Sequence, residues 1–205
     1  MNSEDVKSIL ISKYKFSPED VEKLSLFHDE LITFNKKYNL ISKSTESVTW
    51  YRHILDSAQI VDFIGFEDGF SVSDMGSGAG FPGIVLSIFN KNSKFHVKLY
   101  EKSNIKCDFL DNVRNKLDLK YEIFGRYQEE KIASEYIVCR AFKKIEEILR
   151  ISREIVEVSH KLVILKGKNA EEEINKLQKP IEFMYRLEKS ITDPKSKILI
   201  VDVKK

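Results

Sequence analysis

The chain has 205 residues, 42% of them hydrophobic and 32% charged, and its formal net charge is only +2. That length suits one α/β domain with an extension, and the near-neutral balance gives no global polybasic signal, so any RNA contact must come from local clusters. No run reaches the roughly 18–20 apolar residues of a membrane span, and the N-terminus lacks a basic segment followed by an apolar core, so a cytoplasmic protein is expected.

Residues 1–65 read as a helical extension, and 66–205 as the main domain. Ser3 is expected to cap a first helix, with Glu4 and Asp5 in its first turn. Ser17 followed by Pro18 opens a second, whose Val21, Leu24, Phe27, Leu31 and Phe34 recur at helical spacing. A third helix is predicted over about 46–63, with Val48, Ile54, Leu55, Ala58 and Val61 inside. From residue 70 the pattern alternates. Strands are predicted near 70–74, 94–101, 119–125, 135–141 and 161–167. Helices follow Pro82 and cover 103–117, 145–158 and 170–178. In the second of these four, Ile105, Phe109, Val113 and Leu117 form the apolar stripe. Such alternation implies right-handed crossovers and a mostly parallel, Rossmann-like sheet. Two extended runs at 181–189 and 197–203 leave no room for a helix between them and predict an antiparallel hairpin at a sheet edge.

The informative segment is Asp74-Met75-Gly76-Ser77-Gly78-Ala79-Gly80-Phe81-Pro82-Gly83, where a first strand turns into a helix. Ligands of open α/β sheets bind at such strand ends, and Gly76, Gly78 and Gly80 let backbone approach them closely. The segment also matches GxGxxG, the dinucleotide fingerprint, from Gly78 to Gly83. Asp74 tips the reading. A carboxylate at the mouth of the loop repels a pyrophosphate but attracts the ammonium and sulfonium of S-adenosylmethionine. Glu101, ending the second strand, suits a ribose diol in either case. An NAD-dependent oxidoreductase stays open as the alternative, as does a methyltransferase of another substrate.

Six ordered blocks between about 38 and 203 then resemble one family, the bacterial glucose-inhibited division protein B type of 16S rRNA guanine-N7 methyltransferase. They are Asn39-Leu40 with the block from Arg52 to Ser57, the glycine loop with its Pro-Gly pair, the second-strand block ending at Glu101, Gly125 to Glu130, Cys139 to Phe142, and Leu165 to Lys168. The resemblance implies a methyltransferase core that binds S-adenosylmethionine through Gly76, Phe81, the Tyr127-Gln128 pair and Arg140. It implies methyl transfer to N7 of a guanine (guanine 527 in the family) in the decoding-region loop of 16S rRNA. The substrate is then that RNA, the small ribosomal subunit or an assembly intermediate. Gln128 replaces an acid of the family pattern and Cys139 a serine. An arginine usual before the last strand is missing, and Lys195 or Lys197 stands nearby.

Guanine N7 carries an in-plane lone pair and no proton, so its methylation needs no general base. Arg140, just past the fourth strand, is the candidate for positioning cofactor and base. Arg126, Lys166 and Lys197 are the candidate RNA contacts. His53 is expected to pair with Asp56 and to pack the extension over the loop. Cys107 and Cys139 lack a CxxC spacing and a nucleophile context, so no disulfide, metal site or thiol chemistry is expected.

Overall fold

The computed structural model describes residues 1–129, 131–177 and 184–205. Helix α1, Ser3–Ser12, is capped by Asn2 rather than Ser3. The Asn2 side chain accepts the Asp5 N–H while Asp5 accepts that of Asn2, a reciprocal pair that satisfies two otherwise orphaned donors. Helix α2, Pro18–Tyr38, opens as expected on Ser17, which shares the same arrangement with Asp20, and it stops at Asn39 in a left-handed conformation.

The single helix expected over 46–63 is broken into pieces: α3, Lys43–Glu46; a π-helical turn, Trp50–Leu55; α4, Asp56–Ala58; and a 3-10 turn, Val61–Phe63. A π turn takes an extra residue and rotates the side chains that flank it. Val48, expected inside, is therefore 39% exposed, whereas His53 is turned in at 8%.

Seven strands form one sheet: β1, Ser71–Met75; β2, His96–Tyr100; β3, Glu122–Phe124; β4, Tyr136–Arg140; β5, His160–Lys166; β6, Tyr185–Lys189; and β7, Lys197–Val203. Their order is β3-β2-β1-β4-β5-β7-β6. The first five are parallel, and β7 runs antiparallel between β5 and the edge strand β6. The predicted edge hairpin is present, although positions 181–183 of its first run, and Gln178 at the end of the last predicted helix, lie outside the described residues. The connecting helices are α5, Gly83–Phe89; α6, Asn104–Lys116; α7, Ile145–Ile155; and α8, Ala170–Asn175. In α6 the buried face is Phe109, Leu110 and Val113; Ile105 lies in the first turn, ahead of that stripe, and is 47% exposed instead of buried.

Strand order reverses between β2-β1 and β4, which places a crevice at the carboxyl ends of β1 and β4. One apolar cluster packs Leu10, Phe27 and Ile54 of the extension together with Phe81, Ile84 and Phe109 of the sheet domain. The Phe27 ring stands 5.2 Å from that of Phe81. The extension thus holds the residue that ends the glycine loop. A second cluster, including Met75, Ile137, Ile148 and Leu162, completes the core.

Candidate active site

The loop from Gly76 to Pro82 is tied to β2 by the Gly76 and Ser77 N–H groups, which both donate to the Tyr100 carbonyl at 2.9 and 3.0 Å. Gly76 has φ +75° and faces the Phe142 ring; a Cβ there would lie 2.6 Å from ring carbon Cδ2. Gly80, also at positive φ, packs on Ile84. Gly78 differs: a Cβ there would meet nothing closer than the Gly76 carbonyl at 3.8 Å. Gly78 is therefore the open part of the cradle and Gly76 the packed part. Gly76→Ala is expected to cost about 2–4 kcal/mol, from left-handed strain and forced overpacking together. Urea unfolding checks it, and wild-type stability would mean that Phe142 moves aside freely.

Asp74 is not at the mouth of the loop. Its side chain is fully buried, and Oδ2 accepts the Gly83 N–H at 2.9 Å, at the start of α5. The other oxygen, Oδ1, has no partner. Burial pushes this carboxyl up to about 7, against the opposing pull of the Gly83 and Ser77 hydrogen bonds and of Arg140. The expectation of an exposed acid facing the ligand is thus corrected: short reach and a free amide at the helix start draw Asp74 inward. Glu101, 7% exposed, also serves the loop. Its Oε2 accepts the Gly78 N–H at 2.9 Å and its Oε1 the Ser103 N–H at 2.8 Å. Each oxygen retains a second lone pair for a ligand hydroxyl.

Arg140 ends β4 and joins three parts of the chain. Its Nη1 donates to the Arg52 carbonyl at 2.9 Å and to Asp56 Oδ2 at 3.3 Å, and its Nη2 donates to His53 Nδ1. Its guanidinium carbon lies 5.4 Å from the centre of the Phe81 ring, on which His53 is stacked at 5.2 Å. Asp56 Oδ1 in turn accepts from Thr192 at 2.6 Å and Gln59 at 2.9 Å, so the turn before β7 is bound in. The expected His53–Asp56 pair does not form; both face Arg140 instead.

With Nδ1 accepting, His53 carries its proton on Nε2 and donates it to Thr45 Oγ1 at 2.8 Å, while Thr45 donates to the Ser42 carbonyl. Burial, then Arg140 and Arg52, lower its pKa to about 3. A folded pKa below the unfolded value gives stability that is present above about 6.5 and lost as pH falls toward 3. His53→Asn is therefore expected to lose less stability than wild type between pH 7 and 4.5. Urea midpoints at both values check this, and equal losses would remove His53 from the titration.

Tyr127, 8% exposed, meets the Phe142 ring edge-on at 5.4 Å, and Gln128 beside it is exposed. Phe142 follows Ala141, which has φ +49°, and its ring lies between the Gly76 backbone and Tyr127. Arg140, Ala141 and Phe142 also line a cleft of about 400 Å3. Its walls include Arg52, Arg140, Lys143, Lys144, Lys166 and Lys197, against the acids Asp56 and Glu173. The structure thus brings Arg140, Lys166 and Lys197 together. Arg126 is not part of this wall; it lies in the exposed turn after β3. Cys139 is fully buried and burial raises its thiol pKa, so it offers no nucleophile. Among the described residues no group of acids, histidines and cysteines is placed to hold a metal, and no helix is long and apolar enough to cross a membrane.

A family model described as rRNA small subunit methyltransferase G matches residues 20–199. The chain belongs to that family. A ribosomal RNA small subunit methyltransferase G of Orientia tsutsugamushi is 36% identical over 98% of this chain and 99% of its own length. One of Rickettsia felis is 38% identical over 89% and 93%. The fold matches a solved SAM dependent methyltransferase from Aquifex aeolicus, with a TM-score of 0.58 at 18% identity over 82% of this chain and 97% of that one. The Arg52–Ser57 block carries the acceptors of Arg140. Phe142 lies in the Cys139–Phe142 block without an expected role; an aromatic two residues past a strand end beside the glycine loop is the signal that marks it.

Proposed function

We propose that this protein transfers a methyl group from S-adenosylmethionine to N7 of a guanine in 16S rRNA, the family's guanine 527 in the decoding region. The observation that carries the reading is the junction at Arg140 and Phe142, where a glycine cradle and a cation-lined cleft share one wall. A methyl donor on one side and an anionic polymer on the other need that arrangement.

The residues fit the cofactor. Gly78 leaves backbone open, Glu101 keeps lone pairs for ribose hydroxyls, and Asp74 Oδ1 is a buried acceptor lacking a donor, suited to an ammonium. The same geometry counts against a dinucleotide. A pyrophosphate would seek the amide at the start of α5, and Asp74 already occupies the Gly83 N–H. S-adenosylmethionine supplies an electrophilic methyl on a sulfonium.

The chain's own part is positioning. His53 uses Nδ1 on Arg140 and holds its proton on Nε2, and Asp56 is engaged by Arg140, Thr192 and Gln59. Glu173 is paired with Lys166. These groups at the junction are thus engaged rather than poised to take a proton from the substrate. A nucleophile that needs no deprotonation matches that state, and guanine N7 is one. Catalysis then rests on holding nucleophile and methyl in line, with Arg140 fixed from three directions.

The test is labelled methyl transfer to small ribosomal subunits from a strain lacking this protein, with mass mapping of the product. One N7-methylguanine in 16S rRNA is expected. Label on protein, or on an exocyclic amine, would refute the assignment.

A further inference from the structure

The register of the last three strands sets Lys166 opposite Lys197, and Lys197 opposite Lys189. Directly opposed residues project from the same face of a sheet, so three lysines form one row across neighbouring strands. The row is about 10 Å long, from the spacing of adjacent strands. It borders the cleft, which Lys166 and Lys197 both line.

Like charges directly opposite each other destabilise a strand pair. The row is therefore a liability unless something anionic uses it. Two carboxylates of α8 meet it: Glu173 Oε2 lies 2.8 Å from Lys166 Nζ, and Glu171 Oε1 lies 2.9 Å from Lys197 Nζ. No carboxylate pairs with Lys189 among the described residues. The first two lysines are also well buried. Their side chains are 13% and 20% exposed, against 28%, 32% and 30% for the ion-paired Lys7, Lys23 and Lys143 and 85% for Lys120. Ammonium groups on buried stems lose little freedom when a ligand arrives.

We infer that this row binds successive phosphates of the RNA backbone, and that Glu171 and Glu173 hold the places of two phosphates until RNA displaces them. The inference rests on the rRNA reading above. A row of cations suits a chain of charges better than a single small anion. Glu171 is 63% exposed and makes a surface ion pair, a kind of contact that is cheaply exchanged. Glu173 also accepts the Ile145 N–H at 2.8 Å and is the more firmly anchored of the two. The arrangement makes the RNA contacts at Lys166 and Lys197 an exchange of one anion for another, which weakens non-specific binding there, and leaves Lys189 as the contact with no carboxylate to displace.

The experiment is binding of a 16S rRNA transcript to the full chain over a series of salt concentrations, with methyl transfer to undermethylated subunits measured in parallel. Lys189→Gln, at an exposed position of the edge strand, is expected to weaken binding several-fold and to lower the salt slope by about 0.7–1. Glu171→Gln is expected to tighten binding several-fold, and by more than Glu172→Gln, which removes the same charge from the same helix away from the row. Lys189→Gln with the wild-type slope, in a protein whose parent methylates rRNA, overturns the binding edge. Glu171→Gln no tighter than Glu172→Gln overturns the place-holding carboxylates. A parent that labels no RNA overturns the functional reading itself.

Discussion

Arg140→Ala is expected to lower methyl transfer by at least about 100-fold, the scale of a misplaced reacting group, and to destabilise the fold as well. The side chains of Arg140 and Asp56 are only 17% and 18% exposed. Removing one partner of a mostly buried pair leaves the other charge uncompensated, which costs about 3 kcal/mol. Here the loss also strips a donor from His53 Nδ1 and from the Arg52 carbonyl. Arg140→Lys separates the two effects. An ammonium keeps the charge beside Asp56 but cannot span three acceptors with a planar fork. The lysine variant should therefore recover most of the stability and little of the activity. Thermal unfolding and labelled transfer to undermethylated subunits measure both. If the lysine variant turns over at the wild-type rate, Arg140 contributes charge alone and the fork geometry is irrelevant.

That pairing shows which parts of the molecule can be read along the chain. Ser17-Pro18, the strand before Asp74 and the closing hairpin are set by local chemistry, and each appears where its residues place it. The break in the helix over 46–63 is not local. The π turn brings His53 and the Arg52 carbonyl onto Arg140, a contact spanning 87 and 88 positions. Nothing in the spacing of apolar residues there announces it, because helical periodicity reports burial and not the addition of one residue to a turn. The lysine row is hidden for a similar reason. Lys166, Lys189 and Lys197 become neighbours only once β7 is threaded between β5 and β6. Asp74 shows the converse. Its place in the sequence was informative, but the direction of its side chain depended on an amide nine residues away.

Asp74→Asn is expected to give a protein that is more stable than wild type at pH 8 and binds S-adenosylmethionine more weakly. The carboxyl has a pKa raised in the fold to about 7. The folded state therefore favours the protonated form. That contribution is complete below the unfolded value near 3.9, is lost as pH rises through 7, and leaves a buried charge with one unpartnered oxygen above that. Asparagine keeps an oxygen for the Gly83 N–H and carries no charge, so its advantage should grow from pH 4 to pH 8. An ammonium reaching Oδ1 would reverse the balance in wild type by supplying the missing partner. Binding would then release a proton from Asp74, so wild-type affinity should rise with pH up to about 7 and level off above it, while the variant shows no such rise below 7. Unfolding midpoints at pH 4 and 8, with calorimetric titration of the cofactor across that range, test both halves. Equal affinity in the two proteins, with the same pH profile, would reduce Asp74 to a cap on α5. A stability cost maintained at neutral pH would then have no ligand to justify it, and the electrostatic case for a cationic methyl donor would have to rest on Glu101 and the open backbone at Gly78.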